Sequence, residues 1–131
     1  IPDDFAPDNE ELRLLAKQFY TDLRETWERA VEEVVLGGVV ERFGSDVKTQ
    51  SLKRVDIDDA DYRVIFFAMK RASERSGHDQ ATAKQIDPPN KKQMESDLLE
   101  LRGFIATHRK KAQAADERRK ELEQPPKAAV A

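Results

Sequence analysis

The sequence predicts an all-α fold of three main helices, over about 9–37, 58–76 and 90–123, forming a bundle with an irregular connection at 44–57. Two observations carry this. Apolar residues recur at steps of three and four along three long stretches, the spacing that places them on one face of a helix. The composition is also that of long solvated helices, with 37% charged residues and only 5 glycines. At 131 residues the chain fits one core. A single helical domain over 9–123 is therefore expected, between an extended segment at 1–8 and a frayed tail at 124–131.

Pro2 and Pro7 keep the start extended, and Asp8 followed by Glu11 has the spacing of a capping box. From there Leu12, Leu15, Phe19, Leu23, Trp27, Ala30, Val31 and Val34 mark the apolar face of the first helix, which ends near Gly37 and Gly38 or continues after a kink. Residues 44–57 alternate weakly through Val47, Leu52, Val55 and Ile57, an irregular connection with room for one short strand. Asp58 caps the second helix, whose apolar face is Tyr62, Ile65, Phe66 and Met69, and Gly77 stops it. Asn90 caps the third. Its seam of Met94, Leu98, Leu101, Ile105, His108, Ala112 and Ala115 suits packing along another helix, and Pro125–Pro126 ends it.

Zero cysteines exclude disulfides and thiolate metal sites and fit a reducing compartment. No apolar run approaches the ~18 residues needed to span a bilayer, so the expectation is a cytoplasmic protein with no membrane partner. The start at Ile1 leads us to expect a piece of a longer protein. Net charge is −3 but unevenly spread, with 11 acids against 5 bases over 1–43 and 7 against 10 over 91–131. The basic end, with Lys110, Lys111, Arg118 and Arg119, is the candidate for RNA phosphates; a solvated helix face is the plainer reading.

Three residues attract a chemical reading. Arg24 and Glu28 are four apart, one above the other at the margin of the buried face. Such pairs are common as intrahelical salt bridges. His78 follows the second helix in the stretch SERSGHD, beside Asp79, which can orient or charge it. Metal-independent RNA cleavage needs a base for the 2′-hydroxyl proton and a cation for the phosphorane charge. His78 fits the first role, and Arg24 or Arg71 the second. The plainer alternative is a loop histidine that caps the preceding helix. His108 reads as a core-edge histidine with one hydrogen-bond partner. Two histidines among scattered carboxylates offer no metal set, and Gly37-Gly38 lacks the Lys and Ser/Thr of a phosphate loop. Neither metal, cofactor nor ATP hydrolysis is expected.

Together LRETWERAVEEVV, VVERF, SLKRV, MKRASERSGHD, a proline-rich break and a closing charged helix resemble the C-terminal region of large bacterial SMC/ABC-like ATPases associated with phage defence. A related group, the PrrC and RloC anticodon nucleases, has a helical ribonuclease region with an Arg, three residues, Glu signature and a later histidine, and is grouped with the HEPN ribonucleases. Arg24, Glu28 and His78 match that order, and Arg71 and His78 match the HEPN Arg-to-His spacing. The Glu28-to-His78 interval is 50 positions, and Ser-Gly-His stands where Ser-His is usual. The resemblance implies an endoribonuclease acting on RNA, tRNA included, controlled by an ATPase domain of the same or a partner chain. It also implies a homodimer, for which the seam at 94–115 is a candidate interface. The alternative is a non-catalytic dimerisation or partner-docking module, with an exposed apolar edge around Leu36, Val39, Val40 and Phe43.

Overall fold

The computed structural model describes residues 9–76 and 88–126. It is all-α, as the periodicity predicts, and no strand occurs among the described residues. Helix α1 spans Asn9–Ala30 and runs on as a π turn over Val31–Val35; α2 spans Asp59–Arg75 and α3 spans Lys91–Leu122. The connection at 44–57 contains a 3-10 turn over Thr49–Arg54, where the alternation left room for a strand. Its short side-chain repeat is used to turn the chain, not to pair it. No helix of the described residues is long and apolar enough to cross a membrane.

Two of the caps form as the sequence predicts. Asp58 accepts from the Asp61 backbone N–H at 2.8 Å, and the Asp61 carboxylate accepts from the Asp58 N–H at 3.2 Å. Asn90 and Gln93 make the same reciprocal pair, both at 2.9 Å. Each capping box satisfies two of the backbone donors that a helix start leaves open. The cap expected at Asp8, the extended segment 1–8 and the tail beyond Pro126 lie outside the described residues.

By contacts the chain divides into two compact units. The first takes α1 as far as Glu28, all of α2, and α3 as far as Gly103. Its core is Tyr20, Leu23 and Trp27 from α1, Ala68 and Ala72 from α2, and Met94 and Leu101 from α3. The two alanines leave the space that Trp27 fills, and no room for a water remains among Tyr20, Trp27, Ala68 and Ala72. Arg24 meets Ser73 while Tyr20 meets Arg75, so α1 and α2 run antiparallel. Arg71 meets Glu100 while Arg75 meets Asp97, so α3 reverses again. The unit is an up-down-up three-helix bundle.

The buried stripe of α1 is Ala16, Tyr20, Leu23, Trp27 and Ala30. Leu15, expected in it, is 38% exposed; Tyr20 lies in the stripe, and Phe19 packs edge-on against its ring at 5.0 Å. A tyrosine wins there because its hydroxyl has partners inside.

The second unit takes Arg29–Ile57 and α3 from Phe104 onward. Val34, Val35 and Val39 are buried in it, with His108, Ala112 and Ala115 of α3. The π turn is closed by the Leu36 N–H bonding Val31 O at 2.8 Å, and Gly37 and Gly38 follow with φ of 58° and 82°. Only glycine takes such angles without strain, and a Cβ on Gly37 would also lie 3.1 Å from Arg54 Cβ. The Arg119 guanidinium donates to the carbonyls of Val55 at 2.5 Å, Leu52 at 3.1 Å and Lys53 at 3.3 Å. It pins the 3-10 turn to α3. Arg119→Ala should therefore lower stability by about 1–2 kcal/mol, since hydrogen bonds from a charged donor are the stronger kind. Hydrogen exchange should accelerate across 49–55 while α2 amides stay protected. Uniform protection across both segments would show that the turn holds without the clamp.

Candidate functional site

The site is built where α1 meets the last turn of α2. Arg24 and Glu28 stack on α1 with Nη1 3.1 Å from Oε1, and their side chains are 36% and 33% exposed. Arg24 Nε donates to Ser73 Oγ at 3.1 Å. Ser76, buried at the end of α2, donates from its hydroxyl to the Ser73 carbonyl at 3.1 Å. Both polar ends of Ser73 are thus held, and the guanidinium has one hydrogen bond to Ser73 and one ion pair with Glu28. These two contacts are made through Nε and Nη1. A guanidinium in that state can still offer a fixed N–H to an incoming oxyanion.

Beside this lies a part-buried polar network around the buried Tyr20 ring, which the local spacing does not reveal. Asp97 accepts from the Tyr20 hydroxyl at 2.5 Å and from Arg75, and Arg75 also donates to the Tyr20 oxygen at 3.0 Å. Arg71 bonds Glu100 and lies 3.8 Å from Asp97. Two arginines face two carboxylates, and the Arg75 guanidinium also lies 5.3 Å from the Tyr20 ring centre. Burial and the bond to Asp97 push the Tyr20 phenol well above the ordinary tyrosine range. A charge-balanced cluster of this kind holds helices together and has little field left for a substrate.

The predicted residues therefore fall into distinct settings. Arg24 and Glu28 come together with Ser73 on a partly open surface, whereas Arg71 is bound to carboxylates of α3. His78 and Asp79 lie outside the described residues. In the second unit Lys110 and Arg118 are exposed, Lys111 is half-buried, and Arg119 is committed to backbone carbonyls. His108 is buried and stacks on Phe104 at 5.3 Å. That unit also has an open cleft of about 270 Å³ with Glu33, Arg54, Arg109 and Asp116 on its walls. Its charges balance, so it offers no net attraction to phosphate. No group of residues able to hold a metal ion occurs among the described residues.

Tyr20, Arg75, Asp97 and Glu100 are the residues that sequence reasoning missed. Asp97 carried a signal, standing three after Met94 and four before Leu101 on the core face of α3. A carboxylate there must find partners, since an unpaired buried charge is strongly disfavoured.

The fold defines an all-α protein with a helical bundle at its first unit. No protein-family model matches the chain, and neither a curated protein nor a solved structure matches it.

Proposed function

We propose that the chain is the RNA-cleaving effector region of an ATPase-controlled system of the phage-defence type that its sequence resembles. One observation supports this reading: Arg24 ties the turn of α1 that holds Glu28 to the last turn of α2, five residues before His78 in the chain. Five residues span at most ~18 Å, so the three side chains are within chain reach of one phosphate.

In the chemistry proposed, His78 takes the proton of an RNA 2′-hydroxyl, and the 2′-oxygen attacks the adjacent phosphorus. The P–O5′ bond breaks, a 2′,3′-cyclic phosphate forms, and a proton goes to the departing 5′-oxygen. Arg24 stabilises the added negative charge on the phosphorane from Nη2, and Glu28 holds the guanidinium in line. No metal takes part. Lys110, Lys111 and Arg118 contribute phosphate attraction that weakens with salt.

The test is cleavage of single-stranded RNA and tRNA in excess EDTA. Wild type should yield cyclic-phosphate ends, and His78→Ala should be slower by about 10²–10⁴-fold, the usual contribution of a general base. Equal rates in the two proteins would remove His78 from the mechanism. Absence of cleavage by wild type would favour the docking-module reading. That reading has its own support: Phe43 is fully exposed at a positive φ of 65° and Val40 is 47% exposed, although Val39 is buried. A bulky side chain held in a strained backbone and open to water is the kind of feature that a partner would cover.

A further inference from the structure

The seam at 94–115 is occupied within the chain, with Met94, Leu101, His108, Ala112 and Ala115 all buried. The unpartnered apolar surface lies elsewhere, on α2. Tyr62, Phe66 and Phe67 are 63%, 48% and 38% exposed, although two of them were expected in the core. Their rings form one continuous group, Tyr62 to Phe66 at 6.0 Å and Phe66 to Phe67 at 5.3 Å, with the Arg63 guanidinium 5.1 Å from the Phe67 ring centre. Asp59, Arg63 and Lys70 are exposed on the same face.

We infer that this face of α2 pairs antiparallel with the same face of a second copy, about a two-fold axis between Val64 and Ile65. The order of residues along the stripe is self-complementary. Positions 59, 62, 63, 66, 67 and 70 follow steps of three and one, three and one, then three, so the stripe maps onto itself when reversed. A two-fold interface demands this kind of self-complementarity, because each patch must recognise its own copy.

The chemistry follows the geometry. Reversal sets Asp59 opposite Lys70 of the second copy, Tyr62 opposite Phe67, and Arg63 opposite Phe66. Those are two ion pairs, two ring contacts and two cation–π contacts per dimer, with no like charges opposed. Neither Asp59 nor Lys70 makes an ion pair among the described residues, so neither must be released first. A register shifted by four positions, about an axis between Phe66 and Phe67, would oppose Arg63 to Lys70 and Asp59 to Glu74. The charges select one register over the other.

At ~200 Å² per aromatic side chain, the three rings leave roughly 300 Å² open per copy. That is below what a permanent dimer needs, so association is weak and concentration-dependent. Sedimentation velocity of the full chain from about 5 to about 500 µM should show monomer at the low end and dimer at the high end. Phe66→Ser and Tyr62→Ser should each weaken it by about tenfold or more with far-UV circular dichroism unchanged, since a lost central aromatic contact is the largest single loss at an interface. Asp59→Lys and Lys70→Asp should each weaken it up to ~5-fold, the range of an exposed ion pair, and the two together should restore it. A chain that stays monomeric throughout overturns the proposal, as does a dimer indifferent to Phe66→Ser. A double charge swap that fails to restore association overturns the register and the two-fold axis with it.

Discussion

Asp97→Ala should destabilise the protein by about 1–3 kcal/mol, the range for leaving charged and hydroxyl donors without their acceptor at a part-buried site. The side chain is only 16% exposed and its partner Arg75 only 21%. Without the carboxylate, the part-buried Arg75 charge keeps a tyrosine oxygen as its remaining contact, and the Tyr20 hydroxyl loses its acceptor. Arg71 keeps Glu100, so the damage centres on Arg75. Against a typical total of ~5–15 kcal/mol, this is a measurable fraction of the stability. Asp97→Asn preserves an acceptor for the phenol and should lose about half as much, because a neutral amide still satisfies a donor that alanine leaves bare. The joint change Arg75→Met with Asp97→Leu should recover part of the loss, since it leaves no unpaired charge behind and adds apolar contact between the helices. Urea midpoints of the four proteins provide the measurement. As a control, Glu95→Ala removes an exposed partner 3.7 Å from Lys91 and should change stability by less than ~0.5 kcal/mol. A loss at Asp97 no larger than at Glu95 would show that the network is effectively solvated.

That network also marks the boundary of what the sequence makes legible. Periodicity of apolar residues reports which side of a helix is wet, and it locates all three helices; local hydrogen-bonding chemistry reports the Asp58 and Asn90 caps. Both signals act within a few residues. Tyr20 and Asp97 are 77 positions apart, and nothing in local spacing states that they will meet. The same range limit explains Arg71, whose seven-residue interval to His78 is visible while its bond to Glu100 is a tertiary fact. The π turn over Val31–Val35 shows a different limit: one extra residue per turn shifts the phase of the stripe without changing its composition. The aromatic face of α2 shows a third. Tyr62 and Phe66 obey the helical period, but hydrophobicity is a one-way guide to burial, and the same spacing serves a core or an outward contact. At the site, the Arg24–Glu28 pair is legible because four residues is a local distance, and its link to Ser73 is not.

On the cleavage chemistry proposed above, Arg24→Lys should lower the rate by about 10²–10³-fold, the effect of removing one oriented donor from a developing oxyanion. Lysine keeps the positive charge but not the planar fork. Arg24 donates from Nε to Ser73 and holds Nη1 3.1 Å from the Glu28 carboxylate, so one hydrogen bond and one ion pair orient the guanidinium. One ammonium cannot satisfy a hydroxyl and a carboxylate and still present a third donor along a fixed line. Stability should fall by less than ~1 kcal/mol, because both ion-pair partners are about one-third exposed and water replaces what is lost. Glu28→Gln retains an acceptor for Nη1 and should have a smaller effect on rate, with Arg24→Ala at least as slow as Arg24→Lys. The separation of activity from stability is the diagnostic feature. A purely structural contact would lose stability and activity in proportion, and full cleavage by Arg24→Lys would reduce the Arg24–Glu28 pair to an ordinary helix-surface salt bridge. Ser73→Ala supplies the complementary measurement: it removes the bond to Nε without touching any charge, so a rate loss without a change in salt dependence would locate the contribution in orientation instead of electrostatic attraction.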